Sequence, residues 1–334
     1  MFVRSRLVLA AGLFSLLGSA VAGALTVSPA PSLSKLPTTP TVVRAVTAAE
    51  GKTKVPTGSI TPPLTSTGLY WTSVNPGLSN PSKPGCVIND AATTIPAVIG
   101  TSCAYGDPTS TRVVALVGDS NANAWIPALD TWGYVNNVKV VAVVHAACAP
   151  WERPWLPKDR PIWGEITERK CAVWRRSMMS KVTALSPSLV IPVGITATDK
   201  SLKMPTTAEL TTALTAMVTY FTPSKVALLE PVPQFTLASS VLACVSGHRT
   251  SLDQCEVRRS AVTSNALNQV FRQVATSKKV AVIPTLNLFC GPTRCPLFVT
   301  LNAQNYLVYE DGYHISHQYA QIIGAALPLA SHVK

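Results

Sequence analysis

The chain is 334 residues long, enough for one large domain or two small ones with an ample core. It carries 28 Lys and Arg against 16 Asp and Glu, a formal charge of +12, although only 13% of it is charged. The basic residues are scattered, with no run beyond a pair such as Arg175-Arg176 and no interleaved aromatics. This argues against nucleic-acid binding and leaves a general attraction to anionic surfaces such as an acidic envelope.

The first residues, "MFVRSR", supply two arginines, and Leu7 to Val27 follows as 21 residues without a charge. Small residues around Ala20-Val21-Ala22 before Gly23 form a signal-peptidase site. A bilayer span needs about 20 apolar residues, so residues 1–27 read as a signal peptide or as an N-terminal membrane anchor. Gly, Ser and Ala in the second half of the run favour cleavage, and no nearby cysteine suggests a lipoprotein. Either reading puts the remainder in a secreted or extracytoplasmic location. Residues 28–66 are rich in Pro, Ser and Thr and predict a stalk or loosely packed extension, with a short helix at Val42–Glu50. Residues 67–334 are predicted to form one α/β domain.

After Thr111 the chain alternates apolar runs with helical patterns. The strands are predicted at Val113–Val117, Val138–Val144, Leu189–Val193, Val226–Glu230 and Val280–Pro284. The helices are predicted at Ala122–Tyr134, Glu165–Ala184, Thr207–Phe221, Gln254–Thr276 and Ser316–Ala330. Strands that are apolar throughout belong to a parallel sheet covered on both faces. Strand–helix alternation then gives a three-layer α/β/α sandwich with a mainly parallel five-stranded sheet. Sites in such sheets form beyond the carboxyl ends of the strands, which is where Gly118-Asp119-Ser120 falls.

Eight cysteines, none before Cys86, indicate an oxidising compartment. The count alone fixes no connectivity. The spacing predicts four sequential pairs: Cys86 with Cys103, Cys148 with Cys171, Cys244 with Cys255 and Cys290 with Cys295. A metal site is the poorer reading, because no Cys-x-x-Cys pair is present.

A serine hydroxyl attacks an ester only when a base takes its proton. Of five histidines, His314 stands three residues after Asp311 in "YEDGYHISHQYA". At that spacing a carboxylate can bond the far imidazole nitrogen and fix its tautomer. Ser316 is placed to cap the following helix. Each piece alone reads equally as a turn, a cap or a solvated charge pair. Together, at strand ends in an α/β chain, they favour chemistry over structure. Asp119 reads as an acceptor for nearby backbone N–H groups, Trp125 as a buried helix residue, and His145 and His248 as incidental polar residues. Arg175 and Arg176 read as a solvated helix face. Trp151, Trp155 and Trp163 lie in a Pro-rich loop between Cys148 and Cys171; stacking on sugar rings and a hydrophobic cluster stay equally open.

"VVALVGDSNANAW" with "DGYHIS" resembles the SGNH, or GDSL, hydrolase superfamily. The resemblance is closest to the SGNH domains attached to bacterial membrane O-acyltransferases. It rests on "GDSNANAWIPAL", on the Cys103–Asp107 element, on Cys148-Ala149-Pro150 and on the Cys171–Arg175 helix, and covers about Cys86 to the C-terminus. It implies Ser120 as nucleophile, His314 as base and Asp311 as its orienting partner, with no cofactor. The implied function is an exported serine acyl hydrolase or O-acyltransferase, with acetyl-ester chemistry on cell-envelope glycans or glycolipids through an acyl-serine. A separate membrane acyltransferase would supply acyl groups to a transferase. The chain departs from the family pattern at Asn121, where relatives usually carry His, and lacks the oxyanion glycine and asparagine after the second and third strands. The oxyanion donors are then expected from the Ser120 backbone N–H and one of Asn123, Gly194 or Thr196. Loss of one donor costs about 10²–10³ in rate, so the departures also imply low activity. The alternative is a non-catalytic glycan-binding or accessory module that retains the fold.

Overall fold

The computed structural model describes residues 35–62, 64, 83, 86–88, 95, 99–156, 165–194, 204–222, 225–234, 241–312 and 314–333. Residues 1–27, expected to be a leader or anchor, and Thr196 lie outside them. The first elements belong to the segment expected to be a loose extension. Helix α1 (Thr39–Ala49) opens with Pro40, whose missing N–H costs nothing in a first turn. It buries Val42 and Val46 one turn apart, at about 1.5–3 kcal/mol for each side chain. Strand β1 (Ile60–Thr61) follows. This part of the extension is therefore docked in the body rather than loose.

Next come β2 (Val87–Ile88), α2 (Ile99–Ser102) and β3 (Ala104–Gly106), which lie along the outer edge of the sheet. Its centre is built from β4 (Val113–Gly118), α3 (Ser120–Val135), β5 (Lys139–His145), α4 (Glu165–Ala184) and β6 (Leu189–Val193). Then follow α5 (Thr207–Tyr220), β7 (Ala227–Leu229), α6 (Val241–Gly247), β8 (Val257–Arg258), α7 (Arg259–Thr263), α8 (Ala266–Lys278) and β9 (Ala281–Ile283). The chain closes with β10 (Arg294–Cys295), the hairpin β11 (Phe298–Leu301) and β12 (Gln304–Leu307), and α9 (His317–Ile323).

Strand β4 is the central strand, parallel to β5 on one side and β6 on the other. Its side chains alternate between two cores. Val114 and Leu116 face α1, α3 and α9, with Trp125, Leu129 and Tyr319; Ala115 and Val117 face α4, α5 and α8, with Trp174, Leu214 and Val270. Burial on both faces explains why these strands are apolar throughout, and it makes the molecule a three-layer α/β/α structure. All five expected strands form, but they do not all lie in one unbroken ladder, and the central sheet gains β2 and β3 at its outer edge. β5, β4 and β6 are continuous, whereas β7 and β9 pair with each other and join β6 through one bridge, Val190 to Val226.

Two expected helices are shorter than their patterns. The run from Gln254 to Thr276 is broken because Cys255 is tied to Cys244, Val257 and Arg258 pair with β10, and Asn265 caps α8 anew. The run from Ser316 to Ala330 leaves the α-helix at Ile323: Gly324 is pressed against the Ala128 carbonyl of α3, and Pro328 lacks the N–H a helix needs. The four disulfides join Cys86–Cys103, Cys148–Cys171, Cys244–Cys255 and Cys290–Cys295. No helix among the described residues is long and apolar enough to cross a membrane.

Candidate active site

Three parallel strands end at one level, where Gly118 of β4 stands opposite Val144 of β5 and Val193 of β6. Gly118 has φ +152°, and a Cβ there would overlap the Val193 carbonyl oxygen, so no other residue fits without moving β6. The chain then turns directly into α3. Asp119 caps that helix: one carboxylate oxygen accepts from the Asn121 backbone N–H at 2.8 Å and from its side-chain amide at 3.3 Å. Asn121, the departure from the family pattern, is thus used to hold the cap. Ser120 is the first residue of α3 and is 7% exposed. It stands at the helix end where backbone N–H groups lack helical partners and the dipole favours negative charge. Asn123, one turn on, is buried on the same side of the helix.

Helix α9 brings the histidine turn to this place. It lies alongside α3 and runs in the same direction. Gly324 touches Ala128 and Thr131, while Tyr319 and Trp125 meet through Phe289, with ring centroids 6.1 and 5.8 Å from it. At a rise of about 1.5 Å per residue, His317 lies about 10 Å back along α9 from Gly324, and Ser120 about 12 Å back along α3 from Ala128. Ser120 and the turn before α9 therefore share one end of the helix pair.

That turn is closed by a bridge between Tyr309 and Ile315 and by the Glu310 N–H donating to the His314 carbonyl at 3.0 Å. Asp311 accepts twice from His314: Oδ1 from the backbone N–H at 2.7 Å, and Oδ2 against ring Nδ1 at 2.6 Å. The carboxylate so placed fixes the ring plane and directs Nε2 away from itself. His314 is 1% exposed. Ser316 caps α9 through the Tyr319 N–H, as its position suggested. Burial, and after it the Asp311 charge, pushes the neighbouring Glu310 carboxyl up to about 8. His317, in the first turn of α9, is lowered by burial.

The third wall is the turn after β5. His145 ends the strand with its Nδ1 2.6 Å from the Ala146 carbonyl, and Ala147 adopts φ +65°. Ala149, Pro150 and Trp151 pack against Gly194 at the end of β6, where a Cβ would come within 2.7 Å of the Pro150 ring. The carbonyls of this turn are gripped from behind. Arg153 Nη2 donates to Ala147 at 2.7 Å, and Arg175 Nη1 donates to Ala149 at 3.3 Å and Trp151 at 3.1 Å. Glu168 pairs with both arginines, at 3.2 Å to Arg153 Nε and through Arg175 Nη2. Arg175 is therefore not on a solvated face; it is 4% exposed. The sequence signal was present, because Cys171, Trp174, Arg175, Met178 and Val182 follow one helical stripe. Trp151 and Trp155 are buried, the former edge-on to Phe271, so they form a cluster beneath the loop and offer no stacking face. Trp163 lies outside the described residues.

Ser120 thus stands at the carboxyl edge of β4, and the Asp311–His314 pair lies in the turn before α9, the helix packed on α3; Asn123 follows on α3 and Gly194 ends β6. Among the described residues no group of three or more His, Cys, Asp and Glu is arranged to hold a metal ion. A hollow at this edge is lined by Asn121, Trp125, Gly194, Pro231 and Phe271.

The layers and the strand-end site define a flavodoxin-like α/β/α protein of the class that works at the carboxyl edge of its sheet. More particularly, the chain belongs to the SGNH family: residues 85–328 match the family described as "SGNH domain (fused to AT3 domains)". It is an SGNH-type esterase or O-acyltransferase. The periplasmic domain of a lipopolysaccharide acetyltransferase from Salmonella ser. Paratyphi A shares the fold, with a TM-score of 0.54 at 11% identity over 72% of this chain and 88% of that one. A lipase/acylhydrolase from Enterococcus faecalis aligns with a TM-score of 0.37 at 14% identity over 67% of this chain and 97% of that one. No curated protein matches the chain by sequence.

Proposed function

We propose that the protein is an exported serine hydrolase or O-acyltransferase that handles acyl esters, acetyl above all, on cell-envelope glycans or glycolipids. What supports this reading is Ser120 at the end of the central strand together with the Asp311–His314 bond in the turn before α9, the helix packed on α3. His314 Nε2 takes the Ser120 hydroxyl proton as Oγ attacks the ester carbonyl. Asp311 holds Nδ1–H and stabilises the imidazolium. The oxyanion is received by the Ser120 backbone N–H and a second donor, for which Asn123 and the Gly194 N–H are the described candidates and Thr196 a third. Collapse expels the sugar oxygen with the proton from His314 and leaves an acyl-serine. Water then releases the acid, or a sugar hydroxyl accepts the acyl group.

Export is supported by four disulfides, which fit an extracytoplasmic location, and by the N-terminal charge-then-apolar pattern. The domain plan is a leader (1–27), an extension (28–66) and the SGNH domain (67–334). Acyl transfer would take its acyl group from a separate membrane acyltransferase, in keeping with the fused partner named in the family description.

The test is acetyl-ester hydrolysis by protein beginning at Ser28, made in an oxidising compartment, with Ser120→Ala beside it. The variant is expected to lose at least about 10³-fold in rate while keeping its melting temperature. Equal rates in both, or none in either folded protein, would overturn autonomous esterase action and leave the accessory-module reading.

A further inference from the structure

Three hollows adjoin along one side of the molecule. The first is the strand-edge hollow lined by Asn121, the residue after Ser120, and by Gly194; it shares Glu230, Pro231 and Phe271 with a second, and the second shares Thr263 with a third. The first two are small, about 40 and 20 Å³, whereas the third is a groove of about 540 Å³. Every charged residue that lines the groove is an arginine: Arg258, Arg259 and Arg294.

The arginines elsewhere near the site are matched. Arg153 and Arg175 pair with Glu168, and Arg272 pairs with Glu230 at 2.5 Å. The three in the groove form no ion pair among the described residues. Arg259 bonds the Cys290 and Gly291 carbonyls and the Asn287 amide oxygen, Arg294 bonds the Asp253 carbonyl, and Arg258 is exposed. Neutral oxygens orient these cations without cancelling them. Arg258 and Arg294 also face each other as partners in the β8–β10 ladder, where like charges repel. Two acids lie nearby without lining the groove: Glu50 accepts the Thr293 and Arg294 backbone N–H groups, and Glu256, which feels the Arg294 charge, accepts that of Gly51. The Cys290–Cys295 disulfide and the bonds of Arg259 hold the wall rigid, which lowers the ordering cost of binding.

We propose that this groove is an anchoring subsite for an acidic polysaccharide, whose carboxylate or phosphate group it holds while the ester-bearing sugar lies at Ser120. The substrate class of the site is then an anionic envelope glycan rather than a neutral one; this rests on the acyl-ester function proposed above. Arginine clusters suit this task because the planar guanidinium bonds both oxygens of either anion.

The experiment measures binding of wild-type protein and variants to polygalacturonate, to a glycerol-phosphate polymer and to neutral dextran, at low and high salt. The wild type is expected to bind one or both acidic polymers and not dextran; preference between the two identifies carboxylate or phosphate. Arg258→Glu is expected to weaken that binding about tenfold and Arg258→Lys to retain most of it, with added salt erasing the difference. Lys278→Glu, at the far end of α8 about 18 Å from its start, makes the same change in net charge and is expected to bind like the wild type. Hydrolysis of a small acetyl ester is expected to be unchanged in Arg258→Glu. Binding no better to the acidic polymers than to dextran, or equal losses in Arg258→Glu and Lys278→Glu, overturns the groove. Arg258-dependent binding in a protein that hydrolyses no ester upholds the groove and sinks the esterase reading alone.

Discussion

Replacing Glu168 with alanine tests whether the turn after β5 is held by charge. Glu168 accepts from the Arg153 backbone at 2.9 Å, from Arg153 Nε at 3.2 Å and from Arg175 Nη2. Without it two nearly buried guanidiniums lose the carboxylate that pairs with both, and Arg175 keeps only the weaker influence of Glu152. Breaking a buried ion pair from one side costs about 3–5 kcal/mol. The arginines keep the Ala147, Ala149 and Trp151 carbonyls, so the lower end, about 3 kcal/mol, applies here. For a domain of this size about 2–4 °C is lost per kcal/mol, so the melting temperature should fall by about 6–12 °C. Thermal unfolding with the disulfides intact measures this, and Glu168→Gln, which keeps an acceptor but no charge, should fall between. Ester hydrolysis well below the melt should also drop, because the gripped turn packs against Gly194 at the site. A shift under about 2 °C would mean that water screens the pair and that the turn is held by packing alone.

The remaining predictions concern the histidine turn. Asp311→Asn should keep the fold but lower kcat by about 10⁴, since the amide no longer fixes the ring tautomer; a loss under tenfold would remove Asp311 from the mechanism. Glu310 holds its proton in the folded state up to about 8 but releases it in the unfolded chain at the ordinary carboxylate pKa. Its contribution to stability is therefore whole at about pH 4 and is lost as the pH rises toward 8. Glu256, raised to about 7 by burial, acts in the same direction. Urea midpoints of the wild type should thus fall between pH 5 and 8, and Glu310→Gln should flatten part of that slope. Parallel slopes for both proteins would show that Glu310 is ionised in the fold.

The five apolar runs were legible as strands because a strand buried on both faces must be apolar throughout, and β4, β5 and β6 begin and end within a residue of those runs. Glu165–Ala184 was legible as α4 from its helical pattern. The β1–β12 ladder was not, since its partners, Ile60 with Asn305 and Thr61 with Tyr306, are remote in sequence and each strand carries too few residues for a pattern. The break before α8 was hidden because Cys255 and Asn265 act through a disulfide and a cap rather than through periodicity. At the candidate site, the Asp311–His314 bond and the place of Ser120 after β4 could be read, because they rest on side-chain identity and short spacing. The Gly194 surroundings could not, because a backbone group has no sequence signature. Arg175 was misread for a related reason: charge was weighed and its helical stripe was not.

The docking of α1 and β1 reaches further than the sequence match, which begins at residue 85. A shortened chain starting there would be left with an uncovered strand edge along Asn305 and Tyr306 and with an apolar socket where Val42 and Val46 had been. Exposed edges of that kind template self-association. The damage would also travel, because β12 leads within a few residues into the turn that carries Asp311 and His314. A mutation or proteolytic nick in residues 39–61 would then register as a lost activity, although every residue of the site remained in place.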